Sequence, residues 1–189
     1  MYNLGVIFAD GQGVPRDYGK AREWFEKAVA QGDKLAERGL QWLPIREADT
    51  GGRYDEALRF AEAFAATLEA EETKPDGKPG EQVATALNQV VWYALFAKEF
   101  TKASTVADRA HTLFPNHLSI ETNRAHALMF TGHDEEAKAL YLAHKGQRMS
   151  GEDDRLWERV IAQDFAAFRK AGLTSPMMAD IENALGISR

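Results

Sequence analysis

All five histidines of the chain, His111, His117, His126, His133 and His144, fall between residues 111 and 144. Successive members are 6, 9, 7 and 11 residues apart. Two imidazoles share one helix face at a spacing of three or four, so none of these pairs forms a ligand set on one helix, and no HExxH occurs. The carboxylates cluster differently, as Glu69, Glu71 and Glu72 and as Glu152, Asp153 and Asp154. Both groups border polar segments, where such runs are solvated helix ends, and the second suits the positive end of a following helix dipole. Cysteine is absent, which removes thiol nucleophiles, disulfides and cysteine-based zinc sites. The GQGVP segment at 11–15 has two glycines but neither the lysine nor the preceding strand of a phosphate loop. No Gly-x-Ser-x-Gly elbow is present either. These absences predict a chain that is not an enzyme and uses no metal or cofactor.

The 189 residues are 44% hydrophobic and 10% aromatic with six prolines, the composition of a folded chain with a substantial core. A net charge of −6, with Lys and Arg scattered among more numerous acids, argues against a nucleic-acid surface. No apolar run approaches the roughly eighteen residues needed to cross a bilayer, so no membrane partner is expected. The first residues lack the pattern of a signal peptide. The expectation is a cytoplasmic protein, with the periplasm open if the chain continues upstream.

The elements that must carry any site are helical throughout. A short first helix should end near Asp10, and Gly11 and Gly13 allow a turn. Asp17 stands at an N-cap position before Ala21, Trp24, Phe25, Ala28 and Val29, which recur at three- and four-residue spacing. Gly32 supplies a stop, and a third helix from about Asp33 is expected to break or kink at Pro44. A long helix follows Tyr54 to about Glu71, and residues 72–81 form a polar Pro/Gly loop. Residues 146–153 form a second loop. Leu156, Trp157, Val160, Ile161, Phe165 and Phe168 then make a strong apolar stripe, and a last short helix runs from Ser175-Pro176 to Gly186.

Residues 4–32, LGVIFADGQGVPRDYGKAREWFEKAVAQG, resemble the Sel-one-like repeat at Leu4-Gly5, Phe8, Gly11, Gly13-Val14, Asp17, Lys20-Ala21, Trp24-Phe25, Lys27-Ala28 and Gln31-Gly32. Further on, Gly52, Tyr54 and Ala57 resemble the turn and second helix of the related tetratricopeptide repeat. Fuller copies start near Ala84 (with Phe100, Ala103, Ala110 and Pro115) and near Leu118 (with Ala125, Gly132 and Ala137). Ala103 and Ala137 are 34 residues apart, the period of that family, whereas Ala57 and Ala103 are 46 apart because of the 72–81 loop. The resemblance implies an all-α, right-handed αα superhelix of a bacterial protein. Its parts are a Sel-one-like repeat at 1–36, tetratricopeptide-like repeats at 37–145 and capping helices at 146–189. The Sel-one-like pattern begins several residues before its Leu-Gly pair, which predicts a chain continuing a longer protein; a stop codon directly upstream of Met1 would refute this.

In such arrays the first helix of each repeat lines the concave face. The resemblance therefore places Asn88, Gln89, Trp92 and Phe96, and Thr122, Asn123, His126, Met129 and Phe130, in the groove. Side-chain amides hydrogen-bond an extended peptide backbone as both donor and acceptor. Trp92 and His126 would give stacking or an apolar wall. For Trp92, Phe96, Met129 and Phe130, packing against neighbouring helices is the competing reading. Arg124 replaces a usually apolar residue and His144 a small alanine. The groove also lacks the Lys and Arg set that clamps a C-terminal carboxylate, so chaperone-tail binding is not expected. The reading is a non-catalytic scaffold that takes a protein or extended peptide on Asn88, Gln89, Trp92, Asn123 and His126. The alternative is a regulatory or substrate-recruiting part of a larger enzyme whose catalytic domain lies upstream.

Overall fold

The computed structural model describes residues 1–72, 79–149 and 155–187. The interior of the 72–81 loop, and Glu152, Asp153 and Asp154, lie outside the described residues. Among the described residues there are ten helices and no strand, as the sequence implies. They are α1 (Tyr2–Asp10), α2 (Tyr18–Val29), α3 (Lys34–Thr50), α4 (Tyr54–Glu72), α5 (Glu81–Phe96), α6 (Phe100–Leu113), α7 (Leu118–Phe130), α8 (Asp134–Ala143), α9 (Trp157–Lys170) and α10 (Met177–Leu185). A single antiparallel bridge joins Arg148 to Leu156, just ahead of α9. No described helix is long and apolar enough to cross a membrane. The chain forms two compact units, Met1–Thr67 and Leu68–Arg189, divided inside α4.

In the first unit, α1, α2 and α3 pack on one another around Phe25, with Ala9, Ala21, Ala28, Ala36 and Leu43 buried beside it. The small alanines follow from the close approach of the three helices. Gly11 closes α1 with φ of 72° and its N–H on the Ile7 carbonyl, a left-handed cap that favours glycine. Tyr18 of α2 donates its hydroxyl to the Arg46 carbonyl at 3.0 Å, and Arg46 Nη2 pairs with Asp10 of α1 at 2.9 Å, so α3 is tied to both partners. That packing is why the unit extends past the first two helices. It also explains α3, which runs unbroken through Pro44 rather than stopping there. Leu43 and Ile45, on either side of the proline, are fully buried, and their burial offsets the lost backbone hydrogen bond.

Asp17 caps α2 by accepting the Lys20 N–H at 2.9 Å. That hydrogen bond is the main reason its carboxyl titrates below the ordinary value of 3.8; desolvation opposes it, and the Lys20 charge adds to it. A depressed pKa in the folded state means that the contribution is complete above the ordinary value and is lost as pH falls through the folded one. Asp17→Asn keeps a capping oxygen but cannot titrate. The stability gap between wild type and this variant in urea titrations should therefore be open at pH 6 and narrow progressively as pH falls below the ordinary value of 3.8; a constant gap would contradict the assignment.

In the second unit, α5, α6, α7 and α8 form successive antiparallel pairs, and α5 also packs on α7. Small residues Ala103, Ala107, Ala110, Ala125 and Ala137, all buried, let these helices approach closely. Helices α9 and α10 complete the unit. Helix α10 packs on α8 and α9. Helix α9 turns its apolar stripe onto α5, α7 and α8. Phe168 stands 5.3 Å from Trp92, 5.2 Å from Phe96, 5.3 Å from Phe130 and 4.9 Å from His126, measured between ring centres. Trp157, with no exposed surface, donates its indole N–H to the Tyr141 carbonyl at 2.9 Å.

Candidate cleft between α5, α7 and α9

The shared face of α5 and α7 has two halves. Towards their C-terminal ends, α9 covers it, and Trp92, Phe96, Phe130 and Phe168 form an aromatic cluster there. Towards their N-terminal ends it stays open as a cleft of about 240 Å³, walled by Asn88, Gln89 and Trp92 of α5, Ser119, Thr122 and Asn123 of α7, and Val160 and Asp164 of α9, with Met149 and Arg155 from the preceding segment.

Four of the five residues singled out from the sequence, Asn88, Gln89, Trp92 and Asn123, meet at this cleft. The Asn123 Nδ2 group donates to the Asn88 carbonyl at 3.2 Å and to Asn88 Oδ1 at 2.9 Å. One amide therefore ties α7 to α5, and Asn123 itself is buried. Thr122 donates its hydroxyl to the Leu118 carbonyl at 2.9 Å. Gln89 differs from these: its Oε1 is buried and has no hydrogen-bond partner. Trp92 is half-buried and serves both halves, as cleft wall and as part of the Phe96–Phe168 cluster.

His126 does not line the cleft, and this corrects its assignment to a peptide-facing wall. It has no exposed surface, and its ring is enclosed by Tyr141, Phe165 and Phe168. Its Nδ1 lies 2.7 Å from the Tyr141 hydroxyl and its Nε2 3.2 Å from Asp164 Oδ2. The reason is α9, which supplies both the rings and the carboxylate that enclose it. A carboxylate only accepts, so Nε2 carries a hydrogen, and a neutral ring then accepts at Nδ1 from Tyr141. Burial first, and the Asp164 charge second, hold the Tyr141 phenol well above its ordinary pKa, so it stays protonated as that donor. Met129 is buried, and Phe130 is half-buried and stacks on Phe100 at 5.1 Å.

Arg124, conspicuous at a usually apolar position, bridges α7 to α6 by donating from Nε to Asp108 at 2.9 Å. Glu121, buried beneath it, faces His111 Nδ1 in a close contact. His117 Nε2 faces Glu81 at 3.2 Å. Three of the five histidines thus pair with single carboxylates, and among the described residues no group of three His, Asp or Glu side chains could hold a metal ion.

Ser119 and Asp164 of the cleft were not singled out from the sequence. Ser119 lies four residues before Asn123, hence on the same face of α7, and that spacing was a usable signal. Asp164 lies midway between Val160 and Phe168 at four-residue steps, an acid set in the apolar stripe of α9. Only the placement of α9 on α5 and α7 gives that acid a neighbourhood.

Residues 1–33 match the family model of the Sel1 repeat, a match that lies wholly within the first unit. No curated protein and no solved structure matches the chain.

Proposed function

We propose that this chain is a non-catalytic protein-interaction scaffold and that the cleft of its second unit takes an extended segment of a partner protein. The observation that carries the reading is the buried, unpaired Oε1 of Gln89 on the wall of an open cleft. A buried acceptor without a partner costs about 1–3 kcal/mol, and an incoming backbone N–H relieves that cost. Asn88 beside it offers an amide that can both donate and accept, and Trp92 offers an apolar wall. The Sel1 repeat at residues 1–33 and the tetratricopeptide-like spacing of the second unit support the same class of function, since helical repeats of this kind commonly bind proteins.

Selection of phage-displayed random peptides on the full chain tests the reading. Enriched peptides should bind wild type and lose about ten-fold in affinity on Gln89→Ala or Asn88→Ala, the loss of one well-placed hydrogen bond. Asn123 is left intact in this test because its amide joins the two helices. Circular dichroism establishes that the variants stay folded. Failure to enrich any peptide, or affinities unmoved by both changes, would overturn the assignment.

A further inference from the structure

The hydrogen-bonding groups around the cleft are unevenly distributed. Two of its donors are turned inward: Asn123 Nδ2 is spent on Asn88, and the Thr122 hydroxyl on Leu118. Arg155, the cation of the lining, donates from Nη1 to Gln163 in a close contact. Two acceptors belong to residues of the same lining. Gln89 Oε1 is buried and unpaired, and the Asp164 carboxylate lines the same cavity with 19% of its side chain exposed.

Asp164 is also held in place. His126 Nε2–H donates to Oδ2, and His126 is itself fixed by Tyr141 and by the rings of Phe165 and Phe168. A carboxylate pinned at the edge of an apolar cluster, on the same cleft as a residue with an unpaired amide oxygen, is preorganised for a ligand that brings N–H donors and positive charge. Charge-assisted hydrogen bonds of this kind are roughly twice as strong as neutral ones, and partial burial limits their screening. An acidic ligand would meet the Asp164 charge at short range.

Resting on the peptide-binding reading above, we infer that the cleft selects a partner segment bearing a basic side chain, whose ammonium or guanidinium group is held by Asp164 and Gln89. Asn88 and Trp92 then contact the backbone and the aliphatic stem of the same segment.

Peptides enriched on the full chain should carry Lys or Arg at one fixed position. Replacing that residue by norleucine should weaken binding to wild type about ten-fold or more, and replacing it by Glu should weaken binding further. Against Asp164→Asn, whose amide oxygen still accepts from His126, the lysine and norleucine peptides should bind with nearly equal affinity. Gln89→Leu gives a second reading if that variant does not fold, and should lower the lysine preference several-fold. Enriched peptides without a basic position, or a lysine preference untouched by Asp164→Asn, would overturn this inference and leave the peptide-binding reading standing. No enriched peptide at all would overturn both.

Discussion

Phe168→Ala is expected to remove about 3–5 kcal/mol from the stability of the second unit, the range for deleting a fully buried phenylalanine. Phe168 has no exposed surface, and its ring meets four others drawn from two helices: Trp92 and Phe96 of α5, and His126 and Phe130 of α7. The contacts with His126 and Phe130 are edge-on, at interplanar angles of 87° and 89°, an arrangement that adds to the value of the buried area. Truncation would leave a cavity among rigid rings that collapse poorly, which places the cost high in the range. Domain stabilities run at about 5–15 kcal/mol, so the loss would be a large share of the total. Amide exchange in α5 and α7 should report it, because the two units need not unfold in one transition. Phe60→Ala, at a residue 41% exposed, should change stability by no more than about 0.5 kcal/mol. A Phe168→Ala loss below about 1 kcal/mol would show that α9 is not held by this cluster.

That dependence on α9 marks the limit of what could be read from the sequence. The apolar stripe Trp157, Val160, Ile161, Phe165 and Phe168 is visible in the spacing, and so is a helix there. Spacing gives the stripe of a helix but not the surface that receives it, because that choice depends on contacts far away in the chain. The assignment of His126 failed for this reason. Its position on α7 is correct, but α9 covers that position and encloses the ring. Asn88, Gln89 and Asn123 share one cleft because α5 packs directly on α7. Pro44 shows the opposite weighting. Proline is a strong local breaker, yet burial of Leu43 and Ile45 keeps α3 continuous. A local rule held at the Asp17 cap, whose side chain accepts the Lys20 N–H.

Gly5→Ala should destabilise the first unit by about 1–3 kcal/mol, although the same change inside an ordinary helix stabilises by up to about 1 kcal/mol. The sign is reversed by Phe25. A Cβ on Gly5 would lie 2.5 Å from Cδ1 and Cε1 of the Phe25 ring, and a Cβ on Gly39 would lie 2.9 Å from Cε1 of the same ring. One glycine comes from α1 and the other from α3, so the ring of α2 is slotted between two helix backbones and cannot retreat from either. Phe25 is 1% exposed, and Tyr2 packs on it at 5.6 Å. Phe25→Leu removes the ring carbons that Cβ would strike. Gly5→Ala should therefore become neutral or stabilising in that background, a coupling of about 2 kcal/mol measurable by a double-mutant cycle on α1 and α2 amide exchange. Close helix approach, rather than turn geometry, then explains why a glycine stands inside α1, in the segment that matches the Sel1 repeat model. If Gly5→Ala alone raised stability by the ordinary helical increment, the ring would have to be free to move, and this account of the first unit would fail.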